Sequence, residues 1–166
     1  MRVYLPATTS LLRALVETSS FGAAPITAFA VTPALREWYV DDDIEELEYA
    51  ASLEAARASL RLLSADPAAA PRRVVIAADL PDDLVTIRDD LDRGVVRLAA
   101  PVSLRQVASV HVDDADAEKA VRSASAVIDA ADVGDTEAED TVDDTEGFEL
   151  AWYATQELGP LVELLG

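Results

Sequence analysis

Between apolar runs at residues 95–100 and 109–113, the stretch Ser103-Leu104-Arg105-Gln106-Val107 has room for little more than one helical turn. A strand returning parallel to its predecessor needs a crossover of about a dozen residues or more. These two runs are therefore antiparallel neighbours, or not neighbours at all. The short link argues against a sheet parallel throughout. The expected fold is α+β, a mixed β-sheet of about six short strands with packed helices, with an α/β open sheet as the alternative.

The other elements follow from local pattern. Residues 2–7 read as a strand entering a helix near Thr9, with Leu11, Leu12, Leu15 and Val16 on one face and Phe21-Gly22 at its end. Residues 26–31 read as a second strand, after which Thr32 suits an N-cap and Pro33 the first helical turn. Leu35, Trp38 and Tyr39 are expected to continue inward. Residues 44–63 are the strongest helix, carrying Ile44, Leu47, Ala51, Ala55, Ala58 and Leu62 at spacings of three and four. Residues 65–71, with prolines at 67 and 71, form a linker before a third strand at 73–78. A helix capped by Asp114 or Asp116 carries Val121, Ala124, Ile128 and Ala131. Residues 150–153 give a last strand, followed by a short helix interrupted at Gly159-Pro160.

One local pattern recurs. Val3-x-Leu5-x-Ala7-x-x-Ser10-Leu11 is echoed by Val96-x-Leu98-x-Ala100-x-x-Ser103-Leu104, and its junction again by Ala154-x-x-Glu157-Leu158. If this reflects duplication, residues 1–81 and 95–166 form two pseudo-symmetric β-α-β-α-β halves of one domain spanning 1–166.

Charge narrows function more than fold. The chain has 32 acidic and 13 basic residues, a net of −19, and no cysteine. Disulfides, thiol catalysis and cysteine-ligated metals are excluded, and nucleic acid would be repelled. No apolar run is long enough for a membrane span, and the first residues do not read as a signal peptide, so a cytoplasmic protein is expected. Residues 123–166 hold 12 of the acids and no lysine or arginine. Their densest part, about 132–147, reads as a solvated acidic loop because like charges repel and few apolar residues are available to bury.

Candidate sites are few. His111 is the single histidine, and Asp113, two residues on in a strand, falls on the same face and could orient its imidazole. No nucleophile elbow or phosphate-cradling glycine loop accompanies them. Asp135, Glu137, Glu139, Asp143 and Glu146 fall at positions one, three, five, nine and twelve of a calcium-loop spacing, but Asp140 stands where the sharp turn needs glycine. Asp41, Glu45 and Glu48 can share one helical face, yet no second helix offers the Glu-x-x-His that a paired carboxylate site needs. Trp38-Tyr39 and Trp152-Tyr153 hold both tryptophans of an aromatic-poor chain. They serve either as core or as an interaction surface.

Several segments together resemble an uncharacterised family of small acidic actinobacterial proteins with a domain of unknown function. They include Arg2-Val3-Tyr4-Leu5-Pro6-Ala7-Thr8, Ala28-Phe29-Ala30-Val31-Thr32-Pro33, Val110-His111-Val112-Asp113-Asp114-Ala115 and Leu150-Ala151-Trp152-Tyr153-Ala154. The resemblance implies one full-length domain in a bacterial cytoplasm and transfers no catalytic residue.

The leading functional expectation is a non-catalytic cytoplasmic interaction or regulatory domain, without cofactor, that binds a protein partner or forms a homodimer. A small enzyme using carboxylates and His111, with a divalent cation, is the second reading. An acidic mimic occupying a basic partner is the third.

Overall fold

The computed structural model describes residues 1–40 and 43–165. In chain order the strands and α-helices are β1 (Arg2–Ala7), α1 (Thr9–Thr18), β2 (Ser20–Phe21), β3 (Ile26–Ala30), α2 (Pro33–Trp38), α3 (Ile44–Ala65), β4 (Val74–Asp79), β5 (Val85–Ile87), β6 (Val95–Leu98), β7 (Val102–Ser103), β8 (Val107–Val112), α4 (Glu118–Asp132), α5 (Thr136–Asp143), β9 (Ala151–Ala154) and α6 (Leu158–Leu165).

Seven strands form one sheet in the order β5-β6-β3-β1-β4-β8-β9, while β2 and β7 make a separate two-stranded ribbon. The α+β class holds. Every pairing is antiparallel, however, so the sheet is not mixed. The short link before β8 explains part of this. Residues 104–106 complete a single 3-10 turn, with Ser103 N–H donating to the Gln106 side chain, and β6 and β8 lie four strands apart.

The two sequence halves are not related by a pseudo-twofold. Strand β1 sits between β3 and β4, whereas its sequence counterpart β6 sits between β5 and β3, away from β8 and β9. The recurring pattern marks strand-to-helix junctions, each closed by a local cap. Thr8 Oγ1 accepts from Leu11 N–H at the first junction, and Glu157 accepts from Ala154 N–H at the last.

Alternation along the strands divides the core. Val3, Leu5, Val74, Ile76, Val110 and Val112 face α1 and α6, whose Leu12, Leu15, Leu158 and Leu161 cover them. Tyr4, Phe29, Val75 and Ala77 face the other way onto Leu47, Ala51 and Ala55 of α3. Small residues allow a close approach there: Ser59 Oγ of α3 donates to Ala7 O at 2.7 Å and accepts from Val74 N–H at 3.2 Å. Farther along α3, Leu60 and Leu63 pack with Val121, Ile128, Ala138 and Val142 of α4 and α5.

Three expectations change. The acidic stretch is not a loop but contains α5 and a following 3-10 turn. Asp135 caps α5 by accepting from Ala138 N–H at 2.9 Å, and Glu137 and Glu139 stand in the first turn, where the helix dipole favours anions. Ala138 and Val142, one turn apart, are buried. Two apolar residues at that spacing suffice because α4 supplies the surface they cover. The terminal helix is not interrupted at Gly159-Pro160, since both lie in the first turn of α6, where proline forfeits no helical hydrogen bond. Trp38 and Tyr39 do not point inward; Trp38 is 62% exposed, with the Arg93 guanidinium 3.4 Å from its ring centre.

Candidate functional site

His111 and Asp113 do not form a dyad. Asp113 lies just past β8, buried, and both its oxygens are taken: Arg73 Nε donates to Oδ2 and Nη2 to Oδ1, each at 2.8 Å, while Arg73 N–H also reaches Oδ2 at 2.8 Å. Arg73 Nη2 further donates to the carbonyls of Phe148 and Thr145, at 2.9 and 3.2 Å. A buried guanidinium thus joins the start of β4, the end of β8 and the chain returning from α5.

His111 instead has Ser109 as its hydrogen-bond neighbour, with Nε2 and Oγ 3.2 Å apart. Burial, reinforced by the positive charge of Arg2, pushes its pKa below the ordinary histidine value. The imidazole lines a cavity of 220 Å³ between α3 and the sheet. Tyr49, Leu53, Val75, Phe148 and Leu150 form its apolar walls, and Arg73 also reaches it. A neighbouring hollow of 230 Å³ shares Leu53, Ala56, Arg73 and Glu146 with it and extends to Tyr39, Glu54 and Arg57. Burial, with the charge of Asp92 adding to it, raises the pKa of Glu54 there. A wider hollow of 300 Å³ around Asp66, Pro67 and Arg122, between the end of α3 and α4, is open and contains neither the histidine nor the buried pair.

The acidic residues do not converge on an ion. Among the described residues, no group of three or more His, Asp or Glu is placed to hold a metal. Asp135 is engaged as a helix cap, and Glu137, Glu139, Asp143 and Glu146 are distributed along α5 and the turn after it rather than around a loop. Asp132, counted with the acidic block, is paired with Arg61 and Arg57 of α3, at 2.7 and 3.3 Å, and these partners hold its pKa below the usual carboxylate range. Glu45 and Glu48 lie in the first turns of α3, where Glu48 accepts from Tyr4 OH at 3.0 Å, and Asp41 lies outside the described residues.

The aromatic pairs are separate. Trp38 and Tyr39 line a small hollow with Phe29 and Arg93, while Trp152 stands across from His111 on β9, 62% exposed. Tyr153, on the opposite face, is half-buried against the α1–α6 side of the core.

A model for a family of unknown function, DUF6912, matches residues 1–162. The chain belongs to that family. No curated protein and no solved structure matches this DUF6912 member. No helix among the described residues is long and apolar enough to cross a membrane.

The sequence singled out neither Arg73 nor the Tyr49–Phe148 cavity. An arginine opening an apolar strand, Arg73-Val74-Val75-Ile76-Ala77, was the available signal, because a cation at that place must find an anion as the strand is buried.

Proposed function

We propose that this DUF6912 protein is a non-catalytic interaction or regulatory domain that receives an uncharged, largely apolar group in the cavity between α3 and β8. The observation that carries this reading is the state of the polar groups at the cavity. Arg73 is matched by Asp113, and His111 is biased towards its neutral form while contacting Ser109. Exposed Glu146 and Glu149 also stand on the lining, but with Arg73 matched and His111 biased towards neutrality the apolar walls favour recognition over proton transfer. An apolar cavity of about 150 Å³ accommodates benzene, so 220 Å³ admits a bicyclic ring or a branched aliphatic side chain.

Titration of the ¹⁵N-labelled protein with indole tests the reading. Saturable amide shifts confined to Tyr49, Val75, His111 and Phe148, lost in an Ala56→Leu variant of unchanged far-UV circular dichroism, support it. Absent or scattered shifts count against it.

A further inference from the structure

Strand β9 is a free sheet edge, and its backbone geometry can be read from two hydrogen bonds. Asp113 N–H donates to Arg73 O, so odd-numbered residues at this end of β8 turn their backbone groups towards β4. His111 and Trp152 are therefore a non-hydrogen-bonded pair. The same follows from the other end, where Ala154 N–H, two residues along β9 from Trp152, donates to Glu157 Oε2 at 2.8 Å rather than to β8. Both place the Trp152 N–H and C=O on the outer side of the sheet. The indole projects from the sheet face that bears His111, with 62% of the residue exposed.

Exposed edges in soluble proteins are usually guarded by lysine, proline, a bulge or extreme shortness. At the opposite edge β5 is three residues long and is followed directly by Arg88, paired with Asp90. Strand β9 is one residue longer, with the Ala154 N–H already held by Glu157, but it contains no charge and no proline, and the final 44 residues contain no lysine or arginine. Exposed Glu149 and Glu157 flank it instead. Two copies pairing through β9 would bring these glutamates together, so self-association is opposed while a cationic strand is attracted.

We propose that β9 receives, by antiparallel strand addition, an extended segment of a partner protein in which apolar residues alternate with lysine or arginine. Backbone hydrogen bonds to Trp152 fix its register, an apolar side chain packs on the indole, and flanking cations meet the glutamates. This surface adjoins the α3–β8 cavity, with which it shares Glu149, but strand addition does not depend on a ligand there.

The probe is a blocked heptapeptide alternating lysine and valine, compared with the same peptide N-methylated at every amide, in about 0.15 M salt. Strand addition predicts that the first peptide slows hydrogen exchange at the Trp152 amide and shifts its indole resonance. Loss of backbone donors weakens binding about tenfold or more at unchanged charge. Trp152→Ala weakens binding while leaving the exchange protection at residue 152 in place at saturating peptide. Equal affinity for the two peptides, binding by neither, shifts centred away from β9, or a sedimentation-detected dimer joined through β9 overturns the proposal.

Discussion

Removal of the Asp113 carboxylate tests the junction between the sheet and the returning acidic segment. In Asp113→Ala, Arg73, its side chain only 3% exposed, loses three of the five hydrogen bonds it makes to Asp113, Thr145 and Phe148, two from the guanidinium and one from the backbone N–H. The two carbonyls left to it cannot balance the charge. Breaking a buried pair by deleting one partner costs about 3–5 kcal/mol. Three hydrogen bonds to a charged group at about 1.5 kcal/mol each fall in the same range. With about 2–4 °C lost per kcal/mol in a domain of this size, Tm should fall by about 6–20 °C. Urea unfolding followed by circular dichroism measures the free energy, with an unchanged m-value required for the comparison. The double variant Arg73→Met/Asp113→Leu should recover most of the loss, because no charge then remains buried. A cost below about 1 kcal/mol for Asp113→Ala, or a double variant less stable than the single one, would refute the reasoning.

Three further outcomes are expected. Since burial lowers the folded-state pKa of His111 below the unfolded value near 6.5, the unfolded chain takes up the proton first as pH falls. The stability contribution is present above about pH 6.5 and declines below it, so Tm measured from pH 7.5 downward should slope less in His111→Gln than in the parent. Ser59→Ala strands the Ala7 carbonyl and the Val74 N–H without their bridging hydroxyl and should cost about 1–3 kcal/mol in urea unfolding. Calcium titration by calorimetry should give only heats of dilution, whereas Asp135→Ala should lose about 1 kcal/mol of stability as the α5 cap disappears.

Elements governed by a single local signal were legible in the sequence. Thr32 and Pro33 start α2, and the leucine and alanine stripe of α3 defines a long helix. Strands β1, β3, β4, β6, β8 and β9 each appear as an apolar run, whereas β2, β5 and β7 have two or three residues and too little pattern to read. The acidic segment misled because its helix depends on α4 to bury Ala138 and Val142, a contact that composition does not reveal. The His111–Asp113 reading failed for a related reason. Spacing placed Asp113 on the right side of an ideal strand but carried no information about Arg73, forty residues earlier, which takes both its oxygens. Exposure of Trp38 was equally hidden, since Arg93 reaches its ring from the loop between β5 and β6.

The strand order has a consequence for synthesis on the ribosome. Strand β4 is made early, and β1 can pair with one of its sides, but the strand for its other side is not complete until Val112 has emerged. Until then Val74–Asp79 presents an apolar open edge near the middle of the future sheet, beside an Arg73 whose counter-charge has yet to be translated. Prematurely terminated chains ending between Asp79 and Val107 should therefore be aggregation-prone. Translation of β8 decides whether the strands made before it keep an open apolar edge.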